Sequence, residues 1–220
     1  VPTPNVNIYT RAINEFDDYR INTAYSNNYI SFFKIMYNYL DNAIPLFNIP
    51  KIMINKLLDR VKPIDTIELF DGDGHETNFV LTSIPTLDAY FYYIIDNITV
   101  DGTYDSLTNS ITLNTVAPLG TENITIEWYD SGSFNETLSE REERILSYLL
   151  VQNWGEKEKN FLLDIRRLLN DTDFKLSAES TNMREKGNWY HSMREHAVKD
   201  MKQYSWDLTY DDLKKKYGLA

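Results

Sequence analysis

His191-Ser-Met-Arg-Glu-His196 sets two imidazoles around a carboxylate, the residue types of a zinc-hydrolase helix. The spacing defeats that chemistry. Zinc ligands on one helix sit at i and i+4 and share a face, whereas i and i+5 diverge by more than about a hundred degrees. Asp71, Asp73 and Glu76 begin like a calcium loop. Such a loop needs glycine at its sixth position and a bidentate Glu at its twelfth. Here those positions hold Glu76 and Thr82, so a polar hairpin turn is the better reading. Paired carboxylates could run acid–base hydrolysis. With 33 Asp and Glu in 220 residues, however, some pairs arise by chance. There is no nucleophile elbow, no phosphate-binding glycine loop and no cysteine, which excludes thiol and disulfide chemistry within this sequence. Lys214-Lys-Lys216 follows Asp211-Asp212 and suits a solvated helix end better than a nucleic-acid patch. No catalytic group, metal site or cofactor is assigned.

Charge distribution says more than any motif. From Pro63 to Glu140 there is no Lys or Arg, and the same stretch carries fourteen Asp and Glu. All 22 basic residues lie on the flanks, and the formal net charge is −11. That balance argues against adhesion to nucleic acid or an anionic membrane. No apolar run approaches a membrane span of about 18 residues. Sixteen Tyr and ten Phe are a heavy aromatic load, which suits interfaces but also follows from an AT-rich genome. Four Asn-x-Thr triplets, at Asn97, Asn123, Asn135 and Asn170, are expected by chance in so Asn-rich a chain.

The elements follow the charge. Residues 8–61 read as helical, with Ser26 a candidate N-cap, a stop near Ala43 forced by Pro45, and a shorter helix over Lys51–Val61. Residues 65–134 change to a period of two. Short strands fit Ile67–Leu69, Thr77–Leu81, Ala89–Ile95, Ile98–Val100, Ser110–Leu113 and Ile124–Tyr129. Turns fit Asp71–Gly74, Asp101-Gly102, Pro118–Gly120 and Ser131-Gly132. Ser139-x-x-Glu142 has the form of a capping box and reopens helix. A second helix carries Phe161–Leu169. A long one runs from Ser177 to about Tyr204, with Met183, Tyr190, Ala197 and Tyr204 at seven-residue spacing. A last short helix covers Tyr210–Tyr217, capped by Thr209. The expected fold class is α+β: a helical bundle with an inserted small antiparallel β-sandwich or barrel. Residues 1–62 form an amino-terminal helical segment and 65–134 the acidic module. Residues 138–220 form a carboxy-terminal helical segment that packs with 1–62.

This order resembles a known family. Leu138-Ser139 opens a helical hairpin that continues through Tyr148–Trp154, Phe161–Ile165 and Leu169–Ser177 to a long helix ending Tyr204-Ser-Trp206. Together with the β insert around Phe79–Leu81, Phe91–Asp96 and Asn123–Ile126, it resembles the neck proteins of tailed bacteriophages, the head-to-tail connectors or portal adaptors. The resemblance implies a virion structural protein without catalysis, assembled in the host cytoplasm. It implies a homo-oligomeric ring, dodecameric to match the portal protein. The ring would extend the channel for genomic DNA, which passes without specific binding, and would offer the next neck or tail component a platform. Candidate interface residues are Trp154, Trp189, Tyr190, Met193, Tyr204 and Trp206, with Leu208, Tyr210, Leu213 and Tyr217 on a carboxy-terminal arm. Candidate channel-facing acids are Asp71, Asp73, Asp101 and Asp105. The alternatives are another neck or tail ring, and an Ig-like ligand-binding module on a helical stalk with Tyr104, Trp128 and Tyr129 as its exposed platform. A hydrolase using acidic pairs is the distant third.

Overall fold

The computed structural model describes residues 2–16, 21, 25, 29–47, 51–85, 89–169 and 177–217, with side chains except at 51–54, 161–169, 177–184 and 213. The fold is α+β. Strand β1 (Thr3–Pro4) leads into helix α1 (Asn5–Glu15). Helix α2 (Tyr29–Ala43) ends where Pro45 removes a donor, and a 3-10 turn, Ile44–Leu46, follows. The expected cap at Ser26 lies outside the described residues. Helix α3 (Lys51–Leu58) stops short of Val61, because Arg60–Val61 leaves as strand β2.

The insert is built from β3 (Ile64–Gly72), β4 (Asn78–Val80), β5 (Tyr90–Ile95), β6 (Ile98–Val100), β7 (Gly102–Asp105), β8 (Ser110–Leu113) and β9 (Gly120–Asp130). One antiparallel sheet has the order β3-β9-β5-β6 and a second the order β4-β8-β7. Tyr93, Ile95, Ile124, Ile126 and Trp128 of the first meet Phe79, Ile111 and Leu113 of the second in a core of their own. The period of two sets both faces: Tyr129, one residue out of phase with Trp128, joins the helical core instead. Asp101-Gly102 is not the expected turn, since Gly102 starts β7. The tight turn nearby is Asp96-Asn97, with both φ positive (49° and 66°), which matches the twist of the β5–β6 hairpin. On β3 the alternation holds, but Glu68 is buried while Ile67 and Leu69 are exposed.

Strand β10 (Ser133–Phe134) corrects the expected module boundary. It pairs with Thr3–Pro4 on one side and Arg60–Val61 on the other, so the chain leaves and rejoins the helices through neighbouring strands. Gly132, at φ 71°, makes that return possible; a Cβ there would lie 2.4 Å from Val61 O. Asn5 Nδ2 donates to Ser131 O (2.7 Å) and Leu138 N–H to Thr3 Oγ1 (2.7 Å), tying the seam to both helical segments. The module is also fixed to α2. Tyr29 OH donates to Phe91 O (2.5 Å), Lys34 Nζ contacts Glu127 (2.6 Å) and Asp65 (2.8 Å), and Phe33 packs edge-on against Tyr90.

Two helices complete the chain: α4 (Glu140–Leu169) and α5 (Ser177–Tyr217). Each merges two expected helices. No proline interrupts either, and Thr209, expected as a cap, returns its hydroxyl to Ser205 O (2.8 Å) in mid-helix. They run antiparallel, as the pairs Arg141–Asp207, Arg144–Asp200, Tyr148–His196 and Trp154–Tyr190 require. Among the described residues, no helix is long and apolar enough to cross a membrane.

Candidate functional site

The first turn of α4 joins three other helices. The expected capping box forms: Ser139 N–H donates to Glu142 Oε2 (2.5 Å), and Glu142 N–H to Ser139 Oγ (3.3 Å). Glu142 is wholly buried, and Lys56 Nζ of α3 (3.0 Å) and the Tyr204 hydroxyl of α5 (3.0 Å) also donate to it. Next to it, Glu143 pairs with Arg11 of α1 (2.8 Å). Carboxylates here also face the positive end of the helix dipole. Burial, then the Glu142 charge, push the Tyr204 hydroxyl up to about 12. Each of the two carboxylates takes a donor from another helix, so the cluster acts as a joint.

Above the joint, the α4–α5 seam buries Trp154, Tyr190, Met193, Ala197 and Met201. Gly155 lets the helices close: a Cβ there would fall 2.2 Å from the Tyr190 ring. Trp154 meets Phe16 and Tyr190 edge-on, at 5.0 and 5.6 Å. Trp154, Tyr190 and Met193 are therefore corrected from interface candidates to residues of the chain's own core. Trp189, Tyr204 and Leu208 are partly buried against it. The Met183 and Leu213 side chains lie outside the described residues.

Trp206, Tyr210 and Tyr217 behave differently, at 75%, 61% and 65% exposed. Beside Trp206 lies a groove of about 650 Å³ between α4, α5 and Leu46. Leu149, Val198 and Met201 form its apolar part; Arg194, Lys202 and Gln152 are its polar lining. A second concavity of about 530 Å³ continues along α5 and shares Arg194, Val198, Lys202 and Trp206. Gln152 is nearly buried; its Nε2 donates to Glu156 (3.0 Å), while its Oε1 has no donor among the described residues. Sequence reasoning found the aromatics but missed the groove, whose lining comes from positions about fifty residues apart.

The other candidates disperse. The two histidines part as expected: His191 Nε2 lies 3.5 Å from Glu195, and His196 stands against Tyr148. Among the described residues, no three His, Asp or Glu side chains converge on one point. Asp71 accepts from Glu122 N–H (2.6 Å), and Asp73 from the N–H groups of Glu76 (2.6 Å) and His75 (2.8 Å). Asp105 accepts from Leu107 N–H (2.9 Å) and Thr108 (2.8 Å). These bonds hold the Asp73 and Asp105 carboxyls below the usual range. Asp71 and Asp73 share one end of the module, while Asp101 precedes β7 and Asp105 is its last residue. Trp128 and Tyr129 are buried in different cores, so the exposed platform expected with Tyr104 does not exist.

No family model matches this chain, and no curated protein or solved structure matches it either.

Proposed function

We propose that the chain is a structural protein of the head–tail neck of a tailed bacteriophage. It forms a homo-oligomeric ring, dodecameric to match the portal protein above it. The ring extends the DNA channel and gives the next neck or tail component a platform, so its place is the virion. One observation carries this reading: α5 runs past its own subunit's core and presents Trp206, Tyr210, Tyr217 and an apolar groove that the described residues leave open. Exposed aromatic surface of this kind suits burial against another protein.

Two further features support it. The joint at Glu142 and the seam at Gly155 make the hairpin a rigid post rather than a moving lid. The module's twelve acids, with no Lys or Arg, repel phosphate and so suit DNA that must pass without sticking. The ligand-binding reading loses its platform with the burial of Trp128 and Tyr129. Gold-labelled antibody on intact virions tests the proposal. Label at the head–tail junction is expected; label on fibres, on capsid faces or nowhere on the particle would end it.

A further inference from the structure

At the far tip of the β module, two turns are bonded into one unit. Gly74 N–H donates to Ala117 O (3.1 Å), Asn123 Nδ2 to Pro118 O (2.9 Å) and Glu122 N–H to Asp71 Oδ1 (2.6 Å). The unit holds Leu119 outward, 83% exposed, with Val116 half-exposed beside it. The carboxylates of Asp71, Asp73, Glu76 and Glu122 are exposed on the same tip, and no cation lies in the module to answer them. An apolar knob thus stands in an acidic collar.

The groove beside Trp206 has the complementary character. Its apolar part is Leu149, Val198 and Met201, and its exposed charges are Arg194 and Lys202. Neither cation forms an ion pair within the described residues. The buried Oε1 of Gln152 is an acceptor with no donor among the described residues, where a donor costs least to add. We infer that Leu119 of one copy seats in the groove of the next, with its acidic collar against Arg194 and Lys202 and a backbone N–H of the loop toward Gln152.

The subunit cannot make this contact with itself. Strand β3 starts beside α2 at Ile64 and reaches the tip eight residues later at Gly72, a span of about 26 Å. Leu46, at the groove, lies beyond the end of α2 opposite the module. The two surfaces differ, so the contact is heterologous and repeats from copy to copy, closing into a ring where the rotation permits. Tip against tip would set carboxylates against carboxylates. The contact takes Asp71 and Asp73 away from the channel and leaves Asp101 and Asp105 as the channel-facing pair. Only the closure into a neck ring rests on the proposed function; the contact itself does not.

The absence of native cysteine makes the test direct. Leu119→Cys and Ser205→Cys single variants are mixed under mild oxidation near ~1 mM protein, where even a millimolar contact is well populated. Disulfides joining unlike variants are expected, and a chain carrying both cysteines should give a ladder beyond the dimer. Adding Arg194→Glu with Lys202→Glu should abolish the ladder, and adding Glu76→Lys with Glu122→Lys to that chain should restore it. The exposed charge variants should keep the parent's circular-dichroism spectrum and melt. No ladder, equal yields of like and unlike dimers, or a ladder indifferent to charge reversal would overturn the contact. If the gold label still marks the neck in that case, the function stands and only this interface falls.

Discussion

Glu68 is nearly buried on β3, yet both its oxygens accept backbone N–H groups, from Thr82 (2.8 Å) and Ser83 (2.9 Å). Burial raises its carboxyl, but the hydrogen bonds outweigh that and hold it below the usual value of 4.5. A depressed carboxyl adds stability above its unfolded pKa and loses it as pH falls through the folded one. Glu68→Gln should therefore cost about 1–3 kcal/mol at neutral pH, the loss of charge-assisted bonds. The gap from the parent should narrow below about pH 4.5. Urea melts across that range check it, and equal stability at pH 7 would contradict it. Tyr204 has the opposite sign. Its hydroxyl is raised, so it favours the fold below about 10 and stops doing so as pH climbs toward about 12. Tyr204→Phe should weaken the fold at neutral pH by about 1 kcal/mol. It should also remove one proton's worth of alkaline slope. An unchanged slope would mean that the other buried tyrosines set it alone.

At the scale of elements, the carboxy-terminal end of α5 is the exposed part. Asp207 pairs with Arg141 and Leu208 packs on the core, but no residue from Thr209 to Tyr217 whose side chain is described is fully buried. Truncation after Leu208 should shift the melting temperature by no more than roughly 2–4 °C, the effect of about 1 kcal/mol in a chain this size. Virion necks should nevertheless lose the protein. A large thermal loss would place that end in the core. The same helix shows what a sequence pattern can and cannot say. Its heptad spacing marked Tyr190 and Ala197 as seam residues, because 3.6-residue periodicity is local. Its expected break near Ser205 was absent, because composition there is polar without proline and Asp207 is anchored by a residue 66 positions away. Strands β1, β2 and β10 are two residues long and exist only by mutual pairing, so no local signal announces them. On β3, period two told of alternation but not which face was core.

The whole molecule is a two-core body: an acidic sandwich bonded to α2 and a helical unit closed by the α4–α5 hairpin. The exposed aromatics of α5 were legible from the sequence because Trp and Tyr past the last seam residue have nothing local to cover them. The groove and the knob were not, since each is assembled by contacts between distant turns and helices. The central claim is that copies of this body form a ring in the neck. Cryo-electron microscopy of the parent virion, with the head–tail junction reconstructed, tests it most directly. The account predicts a ring of this fold beneath the portal, with the α5 ends buried in protein contacts. A resolved neck in which no ring has this two-core fold would contradict it.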